Sequence, residues 1–420
     1  MTPAPPTWSY PIGLFEAVGI ELEYMIVDRE TLDVRPICDE LFRRVAGSDV
    51  SDVEPDGPEG VVSWSNELAL HVVELKTQRP VRSLDGVSDA FQRHVERVNA
   101  QLEPMRACLL PTAMHPWMQP DSETRLWPHE SNEIYRAYDR IFGCRGHGWG
   151  NLQSTHINLP FANDEEFGRL HAALRLVLPL LPAIAASSPI VEGRWSPIAC
   201  HRMEVYRNNS KRVPMMAGLV VPEPVFTRAE YDREVLDRLY DELRPLDPEG
   251  ILRHEFANAR GAMARFDRGA IEIRVLDIQE CPRADLAIAA LVIAVVRALV
   301  DERWMSYEDQ KRVKTAPLHS VLLDTIRYAD RTRIRERVLL DAFGVGQSLV
   351  WASDLWIDLL EQVMPDDPEW TPVLRRMLSK GTLANRIGAQ IRRFPTKAEL
   401  HAVYLELAGC LQRGELFGVD

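Results

Sequence analysis

No two cysteines in this 420-residue chain are spaced as CxxC. The six present (Cys38, Cys108, Cys144, Cys200, Cys281 and Cys410) are scattered, which excludes a written zinc or dithiol motif and predicts reduced, mostly buried thiols. There is no GxSxG elbow and no Cys/His signature, so no protein nucleophile is indicated, and no GxxxxGKS/T loop to cradle phosphates. Long apolar runs are missing too: the longest, Leu286 to Val296, falls well short of the roughly 20 residues a bilayer crossing needs and is closed by Arg297. The opening stretch MTPAPPTWSYPIG has no basic segment leading into an apolar one, so no secretory signal is expected. These absences predict a soluble, cytoplasmic protein with no membrane partner. Basic residues never gather into a run, and acids outnumber bases 62 to 49 for a formal charge of -13, so nucleic acid is not an expected partner. No internal repeat or low-complexity tract is found.

What is there is ordinary in bulk and unusual in pattern. With 46% hydrophobic and 26% charged residues the chain predicts a globular protein, and its length predicts two domains or one large domain with a helical annex. Strand patterns run over Leu14 to Val27, Leu68 to Lys76, Ala107 to Ala113, Asn151 to Leu159, and Ala262 to Leu276 with a hairpin turn at Asp267-Arg268-Gly269. Helical patterns lie between them at 84–103, 130–142, 164–186 and 228–243. Several connections suit antiparallel pairing, so an α+β fold is expected over a doubly wound sheet. From about 283 the pattern is almost wholly helical, which predicts a catalytic α+β region over 1–300 and a helical region over 301–420 packed against it. The stretch Gly146-His147-Gly148-Trp149-Gly150 leads into a strand instead of a helix and reads as a connection or lid more readily than as a phosphate loop.

The strands carry acids where one face should be bland. Side chains alternate along a strand, so Glu21 and Glu23 share one face while Ile20, Leu22, Tyr24 and Ile26 share the other. In AIEIRVLDI, Glu272 and Arg274 project together, on the side of Ala270 and Leu276, opposite Ile271, Ile273 and Val275. Ser154, His156 and Asn158 oppose Thr155, Ile157 and Leu159, and Glu74 sits between Val73 and Leu75. Glu67, seven residues before Glu74, has the wrong parity and reaches the same face only from a loop or across a bulge. A solvated strand face accommodates any one of these. Four such strands together predict a sheet with one polar, functional face. Carboxylate oxygens with a single imidazole suit hard divalent ions such as Mg²⁺ or Mn²⁺, and a guanidinium beside them suits a phosphoryl group in transfer. On that reading Glu272 holds metal and Arg274 holds the phosphoryl group.

Gly19-Ile20-Glu21-Leu22-Glu23, Glu67 and Glu74, His156 in its THINL strand, and Ile271 to Asp277, in that order, resemble the glutamate-cysteine ligase family, particularly its shorter bacterial carboxylate-amine ligase branch. Thr112 to Trp117, Tyr135 and Ala186 to Arg194, with Arg202 following, extend the similarity over about residues 14 to 297. The resemblance implies a fold like glutamine synthetase, a curved and mainly antiparallel sheet with a polar concave face and helices on the outer face. It implies a metal cluster at Glu21, Glu23, Glu67, Glu74, His156 and Glu272, with Arg274 at the transferred phosphoryl group. The reaction it implies spends ATP to phosphorylate a carboxylate, the γ-carboxylate of glutamate or of a related amino acid. An amine, by family default cysteine, then attacks and releases phosphate beside the ADP already formed.

Arg194 and Arg202 are candidates for gripping substrate carboxylates, since a guanidinium pairs with a carboxylate in two-pronged fashion; surface or packing arginines are the alternative. His115, followed by Pro116-Trp117, is expected at the site rim or in a structural role. Residues 203–255 and those after 300 match no family motif, and the acceptor would be chosen by such regions. Relatives suggest a homo-oligomer. Two further readings use the same acids: a metal-dependent hydrolase, and a nucleotide-binding relative without turnover.

Overall fold

The computed structural model describes residues 9–419. The opening segment MTPAPPTW, part of the stretch from which no secretory signal is expected, lies outside the described residues. The strands, in chain order, are β1 (Gly19–Asp28), β2 (Asp52–Val53), β3 (Val62–Asn66), β4 (Val72–Thr77), β5 (Ala107–Leu110), β6 (Ser154–Pro160), β7 (Ile190–Val191), β8 (Arg194–Trp195), β9 (Ala262–Arg265), β10 (Ala270–Asp277), β11 (Arg333–Ile334) and β12 (Val350–Trp351). The main sheet has the order β2-β3-β4-β1-β6-β10-β9, and β5 pairs with the later half of β1. Its pairings are antiparallel. The α+β expectation holds. β7–β8 and β11–β12 form two small separate ribbons.

One face of the sheet is core. Ile20, Leu22, Tyr24, Ile26, Val73, Leu75, Ile157, Leu159, Ile271 and Ile273 are buried in a single cluster with helix residues such as Phe91, Leu170 and Leu291. The helices backing this face include Val87–Leu102, Asp164–Val177 and Pro282–Val300. Helix Pro282–Val300 is apolar nearly all round because Ala352–Val363 and Thr371–Lys380 cover its other side. Residues after 300, among them Leu318, Trp356 and Leu374, belong to the same cluster. Among the described residues no helix is long and apolar enough to cross a membrane.

The predicted hairpin forms between β9 and β10, with Ala270 opposite Arg265. Gly269 turns it at φ 66°, and a Cβ there would meet the Tyr10 ring at 2.6 Å. The strand expected from Leu68 begins only at Val72, while Val62–Asn66, absent from the expectations, pairs with it across the loop 67–71. The helix expected over 164–186 breaks at Leu178–Leu180 and resumes at Pro182–Ala185, because Pro179 and Pro182 each remove a backbone donor. Helix His201–Asn209 escapes sequence detection because its polar residues give no apolar stripe. The segment expected as a connection or lid contains a one-turn helix, His147–Gly150, which packs on His201–Asn209; a Cβ on Gly148 would meet that of Asn209 at 2.6 Å. All six cysteines are free, five buried and Cys108 half-buried.

Candidate active site

The register carries the polar residues to one place on the sheet face opposite the core. Glu21 lies opposite His156, Glu23 opposite Glu74, and Glu272 opposite Asn158. Adjacent strands are about 4.8 Å apart, so residues matched across them come within side-chain reach. His156 Nδ1 donates to Glu21 Oε2 at 2.8 Å, and Asn158 Nδ2 donates to Glu21 Oε1 at 2.9 Å. The Ser154 backbone N–H and hydroxyl both donate to Glu23 Oε2, at 2.6 and 3.0 Å. Ser154 Oγ also lies 2.9 Å from His156 Nε2, and Ser65 Oγ donates to Glu74 Oε1 at 2.6 Å. Ligand-type atoms of Glu21, His156 and Glu272 lie within 4.8 Å of one another, as do those of Glu23, Glu74 and His156. Glu23, Glu74, His156 and Glu272 are each at most 7% exposed.

Packing so many acids out of water separates their proton affinities. Burial opposes the charge on Glu21, but the His156 hydrogen bond and charge, with Asn158, prevail and hold it at about 2. Glu74 moves the other way, to about 8, through burial first and the nearby Glu21 charge second, only partly offset by Lys76 and Ser65. Burial, then Glu23 and Glu74, push Glu67 well up. Burial disfavours a charged His156, yet its contacts with Glu21, Glu23 and Glu272 raise it to about 9. Without an added cation the cluster is therefore part ionised and part protonated, as expected where like charges share a dry site.

The cluster opens onto a cavity of about 440 Å³ whose wall includes Glu23, Glu67, His156, Arg202, Arg265 and Arg274. Glu67 stands in the loop just after β3, which resolves its parity conflict by the loop route. Arg274 Nε is 2.9 Å from Glu272 Oε1, an ion contact too bent to be a hydrogen bond. Burial works against its charge, but Glu272 and further acids raise its proton affinity, so it stays cationic. The backbone N–H of Arg274 donates to the Gly261 carbonyl at 2.9 Å. Gly261 allows this approach, since a Cβ there would meet Val275 at 2.6 Å.

Three predictions of placement need correction. Along β10, Ile273 faces Ile157 but Leu276 faces Thr155, so one extra residue is accommodated as a bulge. Leu276, expected on the side of Glu272 and Arg274, thereby turns into the apolar core, and Asp277 comes opposite Ser154. Arg194, expected at the substrate, is exposed on the β7–β8 ribbon and is not part of the cavity wall, because two residues of ribbon carry it away from the sheet. His115, expected at the rim or in a structural role, has the second place and not the first: it is fully buried, Nε2 lies 2.7 Å from the Leu32 carbonyl, and the Trp117 N–H donates to Nδ1 at 3.3 Å. Burial lowers its pKa to about 4, so it is a neutral packing residue.

Arg202 does line the cavity, but its terminal nitrogens are already engaged. Nη2 donates to the Arg274 carbonyl at 2.7 Å, and Nη1 lies 3.4 Å from Asp277 and 3.1 Å from Met203 Sδ. Only buried Nε is without a partner, so the expected two-pronged grip is not available in this arrangement. Two residues escaped the sequence reading. Arg265, 3.7 Å from Glu272 and bound in two-pronged fashion by Asp267, adds a second guanidinium to the wall, and its place two residues before the hairpin turn was a usable signal. Asp277 receives Ser187 N–H at 2.9 Å and Ser188 hydroxyl at 2.7 Å, which only the bulge reveals.

Comparison with known proteins places the chain in a family. An uncharacterized protein of Archaeoglobus fulgidus is 31% identical over 400 residues, covering 95% of this chain and 100% of that protein. A Nocardia farcinica protein, provisionally named glutamate–cysteine ligase 2-1, is 27% identical over 406 residues and 94% of each chain. In fold, the chain is similar to the solved glutamate–cysteine ligase of Francisella tularensis in complex with AMP, with TM-score 0.57, 14% identity and coverage of 96% of this chain and 90% of that one. It is also similar to a bifunctional glutathione synthetase of Pasteurella multocida, with TM-score 0.59 and 15% identity, where 95% of this chain spans 53% of that protein. The family model for glutamate-cysteine ligase family 2 matches residues 17–388, a span that takes in each of the strands carrying the acids, and the chain belongs to that family.

Proposed function

We propose that this protein is an ATP-dependent carboxylate–amine ligase. It phosphorylates an amino-acid carboxylate, in the simplest case the γ-carboxylate of glutamate, and joins it to an amine such as cysteine. The observation that carries this reading is the meeting of Glu21, Glu23, Glu74, His156 and Glu272 on one face, with Arg274 held against Glu272.

The donor set fits a hard divalent ion: carboxylate oxygens and one imidazole, with no thiolate among them. Burial first and the neighbouring acids second push Glu67 and Glu74 upward, a cost that a divalent cation bound among them would relieve. Glu21, His156 and Glu272 would hold one Mg²⁺ or Mn²⁺ and Glu23 and Glu74 another, with Glu67 at the same cavity. Bound there, the ions would neutralise and align the triphosphate.

The chain's own residues then have definite tasks. Arg274, cationic and fixed by Glu272, faces the charge that spreads over the phosphoryl group as it moves. The substrate carboxylate oxygen bonds to the γ-phosphorus as the bond to ADP breaks. The amine nitrogen then bonds to the acyl carbon, phosphate leaves, and the nitrogen gives up a proton. No side chain of the protein need bond to substrate, consistent with the missing nucleophile motifs. Arg202 positions Arg274 through its backbone carbonyl.

The experiment is a coupled ADP-release screen with ATP, Mg²⁺, glutamate and a panel of amines. ADP and phosphate formed in step with an amide, only when all three substrates are present, supports the reading. Hydrolysis of an added ester or amide without ATP would replace it with a metal-dependent hydrolase.

A further inference from the structure

A second groove, of about 720 Å³, lies in the helical region after residue 300 and shares no wall residue with the carboxylate cavity. Its wall includes Arg331, Arg333 and Arg335 together with Tyr328 and Trp351. Arg331 ends a 3-10 turn, Ala329–Arg331, and leads through Thr332 into β11; Arg331, Arg333 and Arg335 are exposed while Thr332 and Ile334 between them are buried. Neighbours two apart on an extended chain stand about 7 Å from one another, close enough for two guanidiniums to converge on one phosphate or diphosphate.

Three features make this more than a solvated face. Among the described residues, none of the three guanidiniums has a carboxylate within ion-pair distance, in a chain of net charge -13. The aromatic rings beside them are unusually open, Tyr328 at 49% and Trp351 at 38% exposure. Arg333 already sits over the Trp351 ring, 4.6 Å from its centroid, and Arg327 over Tyr328 at 5.5 Å, so a bound flat ring takes the place of a guanidinium or joins it in a stack. Asp324 and Glu336 also line it, leaving one net positive charge and supplying acceptors for hydroxyl groups.

We infer that this groove is a binding site for a small phosphate ester bearing a flat ring and hydroxyls, of the nucleoside mono- or diphosphate class, separate from the candidate active site. The ring stacks on Trp351 or Tyr328, the phosphate is held by Arg331, Arg333 and Arg335, and sugar hydroxyls donate to Asp324 or Glu336. Guanidinium suits this role because it grips phosphate with two parallel N–H groups and stacks on aromatic rings as well.

The test is calorimetric titration of the full chain with AMP, ADP and inorganic phosphate in EDTA, which withholds the ions that nucleotide at the carboxylate cavity would need. AMP or ADP should bind at about one equivalent, with inorganic phosphate weaker for want of stacking. Arg331→Ser/Arg333→Ser and Trp351→Ser should each weaken nucleotide at least about ten-fold, consistent with loss of charge-assisted bonds or a stacking platform. Glu272→Gln should bind as wild type does. No binding at millimolar concentration, binding unchanged by the arginine pair, or binding lost in Glu272→Gln would each overturn the inference. So would a dimer by light scattering that disappears in the arginine variant, which would make this face a contact between copies.

Discussion

Glu74→Gln is the sharpest probe of the carboxylate cluster, because the structure sets the size and sign of its effect. Glu74 faces Glu23 across β4 and β1, accepts from Ser65 and is raised to about 8 by burial and the Glu21 charge. In the unfolded chain it should titrate near the ordinary 4.5. A carboxyl raised in the folded state holds a proton there that the unfolded state lacks. Its stabilisation is therefore full below the unfolded value and is lost as pH rises through about 8. Each pH unit in that window is worth about 1.4 kcal/mol, so from pH 5.5 to 7.5 the metal-free protein should lose on the order of 2–3 kcal/mol through this group. With an unfolding entropy of about 2.1 cal/mol/K per residue over 420 residues, that is about 3 °C in Tm. Glutamine keeps an oxygen for the Ser65 hydroxyl and has no proton to lose. Scanning calorimetry in EDTA at the two pH values should show wild type falling about 3 °C further than the variant. His156, held near 9, erodes stability in the same direction in both proteins. Melting temperatures that shift in parallel would refute the account of Glu74 as a buried, charge-frustrated acid.

Other substitutions separate chemistry from scaffold. Arg274→Ala should lower kcat by about 10²- to 10³-fold, as loss of one preorganised charge donor does, while the rise in Tm on adding Mn²⁺ persists; unchanged turnover would remove Arg274 from the reaction. Arg194→Ala, on its exposed ribbon, should leave KM for the carboxylate substrate unaltered, and a ten-fold rise would return it to the site. His115→Ala should instead reduce stability by about 1–3 kcal/mol in urea titration with KM unaffected, since it removes a buried partner of the Leu32 carbonyl. Arg202→Met leaves Asp277 buried without its cation and should cost about 3–5 kcal/mol, and adding Asp277→Asn should recover part of that; a double variant no better than the single would deny the coupling.

Much of the polar face is legible in the sequence because strand alternation is a local rule. Glu21 and Glu23 against Ile20 and Leu22, or His156 against Ile157, need only the knowledge that each segment is extended. The hairpin at Asp267-Arg268-Gly269 is equally local. The rule fails wherever the chain departs from regular geometry. Glu67 reaches the cavity from a loop, and the bulge after Ile273 reverses the parity of Leu276 and Asp277. Neither departure is marked by residue type.

The sequence by itself determined which residues stand on the acid-bearing faces of their strands, since backbone sterics impose the alternation wherever a strand forms. Tertiary structure alone decided that four separate strands set those faces side by side, that Arg202's donors are taken by Asp277 and the Arg274 carbonyl, and that Arg194 and His115 lie elsewhere. Register and hydrogen-bond partner choice depend on residues distant in sequence, so no local pattern carries them.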